Sequence, residues 1–143
     1  MVLVKWKMVV IGNVNNSRMK YKLLSAHTEK TVNIGDYIQA LASLQFLPSF
    51  DGFVEREGLN SYSEEECTVI MNGWFMHNPN QWPPSNMIHP IFFSFHINSS
   101  VYDKFQEKES ISYLKKYEPI GCRDTNTEEL LNKNGIKAFF LVV

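Results

Sequence analysis

The chain has 143 residues, 44% hydrophobic and 20% charged, which suits one globular domain with a sizeable core and leaves no room for a second. Lys plus Arg number 14 against 15 Asp plus Glu, a balance that gives no broad positive field to hold a nucleic-acid backbone. The longest wholly apolar runs, Met8 to Ile11 and Ala138 to Val143, are too short for a membrane-spanning helix, which needs roughly 20 apolar residues.

Lys5 and Lys7 interrupt the apolar start and no small-residue cleavage site follows, so no secretory leader is expected and the expected location is the cytoplasm. Trp6 to Ile11 reads as a first strand, β-branched and uninterrupted. Asn13 to Lys20 lacks periodicity and reads as a loop, and Tyr21 to Ala26 as a short strand after it. From Asp36 the pattern turns helical, with Ile38, Leu41, Ala42 and Leu44 expected on the inner side and Pro48 past the end. Asn33-Ile34-Gly35-Asp36 is then a loop feeding the helix, with Asp36 the expected N-cap, and a helix start of this kind favours anions or polar ligands.

Phe50 to Val54 reads as another strand, and Glu55 to Glu66 as a solvated turn or short helix. Cys67 to Asn72 is a buried strand expected to stop at Asn72-Gly73-Trp74, where a long loop running to Pro90 begins. Ile91 to His96 is a third strand, and Ser110 to Tyr117 a helix with Ile111 and Leu114 inward. Pro119 to Cys122 is short and apolar. Thr125 with Glu128 reads as a capping box for a helix from about Asn126 to Lys133, closed by Asn134-Gly135. Lys137 to Val143 is a last strand on which the chain stops as if interrupted.

Strands alternating with helices argue an α/β, Rossmann-like three-layer sandwich with a mostly parallel sheet, forming a single domain over residues 1–143. In such sheets ligands collect at the carboxyl ends of the strands. Three exits stand out: Asn33-Ile34-Gly35-Asp36, Asn72-Gly73-Trp74, and Gly121-Cys122-Arg123-Asp124.

Gly-x-Gly-x-x-Gly and Gly-Lys-Ser/Thr are both missing, so dinucleotide binding and P-loop hydrolysis lack their backbone donors. The four histidines and the two cysteines, Cys67 and Cys122, show no metal-ligand spacing. No metal and no cofactor is expected, and both thiols read as buried and reduced. Arg123 offers a planar fork for a carboxylate or phosphate, or else a salt bridge to Asp124 or Glu128. The stretch with Trp74, His77, Trp82 and His89 beside Asn72, Asn78 and Asn80 suits a sugar, with flat rings for its apolar face and amides for its hydroxyls; alternatively the tryptophans pin the loop to the sheet. His96, at the end of a buried strand, is either an acid–base imidazole or a core histidine bonded to backbone.

Asn33-Ile34-Gly35-Asp36-Tyr37-Ile38-Gln39, Val69-Ile70-Met71-Asn72-Gly73-Trp74, Phe95-His96-Ile97 and Gly121-Cys122-Arg123-Asp124, with Thr127 and Leu130, stand in the order found in polysaccharide pyruvyl transferases. The chain resembles that family from about residue 30 to 140. The resemblance implies one Rossmann-like half of a glycosyltransferase-B-like enzyme, which moves the pyruvyl group of phosphoenolpyruvate onto a saccharide as a ketal. Arg123 then resembles the arginine that holds the donor carboxylate, and Asp36, Asn72 and His96 would line the acceptor side. His96 and Arg123 are the implied catalytic residues, with Asn33, Gly35, Asp36, Asn72, Gly73, Trp74 and His77 completing the substrate-binding set.

The implied ligands are an anionic small-molecule donor and a saccharide acceptor. The family's second half, with its further histidine, is absent from these residues, so the chain alone is expected to be weakly active or inactive. Two other readings stay open: a non-catalytic binding or scaffold domain, and half of a nucleotide-sugar glycosyltransferase. Self-association through the apolar last strand is a further expectation.

Overall fold

The computed structural model describes residues 18–25 and 33–141. The expected first strand, Trp6 to Ile11, lies outside the described residues, as do most of the loop after it, Ala26, and the end of the last strand at Val142 and Val143.

Six strands form one sheet: β1 (Lys20–Ser25), β2 (Phe53–Glu55), β3 (Cys67–Phe75), β4 (Ile88–Ile97), β5 (Ile120–Cys122) and β6 (Ala138–Phe140). Their order is β2-β1-β3-β4-β5-β6, and every neighbouring pair is parallel. Helices α1 (Ile34–Ser43), α2 (Tyr102–Phe105), α3 (Lys108–Lys116) and α4 (Thr125–Lys133) flank it. The fold is α/β and Rossmann-like, as the alternation of patterns implies. The chain leaves β1 toward β2 on one side and resumes at β3 on the other, which makes the β1/β3 boundary the switch point of the sheet.

One face is closed by an aromatic core. Trp82, only 1% exposed, lies 4.5 Å from Phe105 and 6.0 Å from both Phe75 and Phe95, measured between ring centroids. Leu114 from α3 and Leu131 from α4 join the same cluster. Trp82 thus pins the β3–β4 connection to the sheet and is unavailable to a sugar. The other face carries α1, which packs on β1 and β3 and receives a hydrogen bond from Asn72 Nδ2 to the Gln39 carbonyl at 2.7 Å.

Helix α1 corrects the expected inner face. Ala40 and Ser43 are buried, whereas Ile38 is 60% exposed and Leu41 57%. Small residues let the helix lie close against the sheet, and the apolar stripe points away from it. The caps also shift by a residue or more. Asn33 caps α1, its side chain accepting from the Gly35 N–H at 3.0 Å, so Ile34 and Gly35 are helical and Asp36 sits in the first turn instead of capping it. Asp124 caps α4 by accepting from the Thr127 N–H at 2.8 Å, in place of the Thr125–Glu128 box. An aspartate accepts at either position, but only the extended backbone at Asp124 precedes the first helical residue. The far end of α4 closes as expected: Gly135 at φ +72° donates to the Asn132 carbonyl at 3.0 Å, and Ile136 to Leu131 at 3.0 Å.

Strand β3 continues through Asn72-Gly73-Trp74 to Phe75, so the long connection begins later than expected, and β4 starts at Ile88 and includes Pro90. A proline is tolerated there because β5 pairs with β4 only at Phe95↔Cys122, well beyond it. Between Met71↔Phe92 and Gly73↔Phe95, β3 advances by two residues and β4 by three. The extra residue makes a bulge at Phe93-Ser94, with Ser94 in the left-handed region at φ +61°. This bulge resets the alternation of β4. Phe92, Phe95 and Ile97 all point into the core, and His96 turns to the opposite face.

Candidate functional site

The carboxyl ends of β3, β4 and β5 form one rim. Trp74 is the register partner of His96, and Phe95 that of Cys122, which directly precedes Arg123. Arg123 and Trp74 therefore share the same edge of the sheet, and residues at paired positions of parallel strands emerge on one face. The N-terminus of α1 follows the carboxyl end of β1 on the same side.

A groove of about 510 Å³ opens on the α1 face. Arg123, Asn72, Gln39 and Ser94 give it polar atoms, and Phe46, Phe93 and Phe140 an apolar wall. Gly73, next to Asn72 in β3, faces Gln39 of α1. At φ +93° it adopts a conformation that side chains disfavour, and a Cβ there would meet Gln39 Oε1 at 2.9 Å. The backbone conformation is what favours glycine here, since the Gln39 side-chain end could shift to make room.

Among the described residues no carboxylate pairs with the Arg123 guanidinium. The salt bridge to Asp124 or Glu128 that the sequence allowed does not form. Its backbone N–H is tied to the Phe95 carbonyl at 3.1 Å, which fixes where the side chain departs.

Asp124 is engaged with His96 instead, Oδ2 lying 2.6 Å from Nδ1. The same carboxylate accepts the Thr127 N–H and hydroxyl, both at 2.8 Å, and the Thr127 oxygen in turn accepts the Ile97 N–H at 3.0 Å. Partial burial would raise the Asp124 pKa, but the bonds from His96 and Thr127 outweigh it and hold the carboxyl below its ordinary value. Next to it, burial first and then the charges of Asp124 and Glu128 push the Cys122 thiol up to about 12, so it stays protonated. Both cysteines are free and buried.

A second group lies at the ends of β2 and β3. Arg56, 3% exposed, stacks over Trp74 with Cζ 5.3 Å from the ring and pairs with Glu57 at 3.0 Å and Asp36 at 3.8 Å. His77 packs on Trp74 with ring centroids 4.4 Å apart. Glu57 also accepts the His77 N–H at 3.0 Å and the Asn78 N–H at 2.6 Å. Trp74, His77 and Asp36 are thus brought together, while Arg123 and Asn72 line the groove and His96 stands between the two groups in strand order. Asn33 is engaged in capping, and Gly35 supplies the capped N–H.

Arg56 and Glu57 escaped the sequence reading, because an arginine between glutamates reads as a solvated turn until its burial is known. Gln39 and Ser94 carried no signal separable from ordinary helix and strand positions.

A family model described as polysaccharide pyruvyl transferase matches residues 33–142. The chain belongs to the polysaccharide pyruvyl transferase family. The span matched to the pyruvyl transferases contains the whole rim, from the Asn33 cap to Arg123 and α4, and five of the six strands in full, β2 to β6. No curated protein and no solved structure matches the chain. Among the described residues no helix is long and apolar enough to cross a membrane.

Proposed function

We propose that this rim binds phosphoenolpyruvate and a saccharide and serves transfer of the pyruvyl group as a ketal. The observation that carries the reading is the Arg123 guanidinium in a groove, beside Asn72 and without a carboxylate partner among the described residues. A planar fork of this kind matches a carboxylate through two parallel hydrogen bonds. Asn72 and Gln39 line the wall beside the donor, while Trp74 and His77, with Asp36 behind them, offer a ring surface and polar groups to the sugar.

The reaction balances as follows. The methylene carbon C3 of the donor gains a proton and becomes a methyl group. Two hydroxyl oxygens of the acceptor form bonds to C2, and the C2–O bond to phosphate breaks. Of the two hydroxyl protons released, one matches that gained by C3 and the other leaves with phosphate. His96 is the group assigned to exchange protons at this centre, and Arg123 holds the donor carboxylate while charge develops at C2.

Calorimetric titration of the purified chain with phosphoenolpyruvate tests the reading. Saturable binding is expected for the unaltered chain, with at least a tenfold loss in Arg123→Ala, which corresponds to about 1.4 kcal/mol. Equal binding by both proteins would remove Arg123 from the site and with it the proposal.

A further inference from the structure

Building on the pyruvyl-transfer reading, we infer that Asp124 is a positioning residue that fixes His96 in the Nδ1–H tautomer, leaving Nε2 as its only proton-exchanging atom. Nδ1 lies 2.6 Å from a carboxylate oxygen, and a carboxylate can only accept there, so the hydrogen belongs to the ring nitrogen. Asp124 itself cannot swing away. Oδ1 is held by the Thr127 N–H and Oδ2 by the Thr127 hydroxyl, and that hydroxyl is anchored to β4 through the Ile97 N–H. The His96 backbone is equally constrained by its pairing opposite Trp74. Both partners of the short bond are therefore built into rigid elements, one at the end of a strand and the other at the first turn of a helix. When Nε2 gains a proton, the imidazolium finds a compensating charge already in place at Nδ1, with no rearrangement needed.

Capping α4 and orienting His96 are separable roles, because asparagine and serine cap helices about as well as aspartate. Asp124→Asn keeps an acceptor for the Thr127 N–H but also offers N–H donors, so it no longer requires a hydrogen on Nδ1. Asp124→Ser keeps the cap and is too short to reach the imidazole. The experiment is ¹⁵N-histidine NMR on the unaltered chain and both variants, which reads the tautomer without substrate, alongside kcat and KM for phosphoenolpyruvate. Neutral His96 is expected as the Nδ1–H form in the unaltered chain and as a mixture with, or replacement by, the Nε2–H form in both variants. The expected kinetic effect is a fall in kcat of roughly 10²-fold or more, with KM for phosphoenolpyruvate within about twofold.

A His96 tautomer that is the same in all three proteins would overturn the inference and leave Asp124 a helix cap alone. A tautomer change in a chain that neither binds phosphoenolpyruvate nor turns it over would uphold the positioning and bring down the pyruvyl-transfer reading.

Discussion

The two faces of the sheet are built on opposite plans. Toward α2, α3 and α4 the strands meet a closed aromatic core in which Trp82, Phe95 and Phe105 are almost fully buried. Toward α1, Phe93 is 37% exposed and Ile91 46%, and the helix turns its own apolar stripe outward. Stability therefore resides on the closed face, and the groove, Arg123 and Asn72 on the open one. Because the two sets of side chains alternate along the same strands, changes on one face can be made with little disturbance of the other.

The sharpest way to break this division is at the core. Trp82→Ala is expected to cost about 3–5 kcal/mol, measured by urea unfolding, since it empties a large buried site. A cost below about 1 kcal/mol would show that the long connection is not anchored there.

Acid titration should have a smaller effect. The Asp124 carboxyl is held below its ordinary value in the folded chain, so the stability it brings is present above the unfolded value near 3.8 and is lost as pH falls through the folded one. Asp124→Asn is expected to be less stable than the unaltered chain at neutral pH, by under about 1 kcal/mol given the partial exposure of the group. The gap should close on acidification, and melting temperatures of the two proteins across an acid series would show it; a constant gap would mean that the charge is irrelevant.

The smallest effect is expected on the outer face of α1. Ile38→Ser should change stability within about 0.5 kcal/mol, because its side chain already meets solvent. A larger loss on urea unfolding would reveal that this stripe is covered in solution.

Much of the architecture could be read in advance. The ends of α3 and α4 fell close to where periodicity and the Asn134-Gly135 stop put them, and β1, β5 and β6 begin within a residue or two of their apolar runs. The failures have a common cause: a one-dimensional pattern locates an apolar stripe without saying what lies opposite it. Ile38 and Leu41 have the spacing of a core face, yet the close approach of α1 to the sheet selects Ala40 and Ser43 for that role. Asn72-Gly73 looks like a turn, but a central strand can absorb a positive-φ glycine where a neighbouring helix presses in. The site was legible where it depends on strand exits, as for Arg123, Asn72 and Trp74. It was illegible where it depends on tertiary pairing, as for Arg56 with Asp36 or Asp124 with His96.

Ser94 ties these threads together. Every second side chain of a strand looks the same way, so the parity of a position decides whether it meets oil or water. Were β4 drawn straight with all its residues retained, Phe95 would rotate outward and the His96 imidazole would be buried, turning a reactive edge into a filled interior; loss of the Ser94 codon, by contrast, would remove the extra residue and leave both side chains on their present faces.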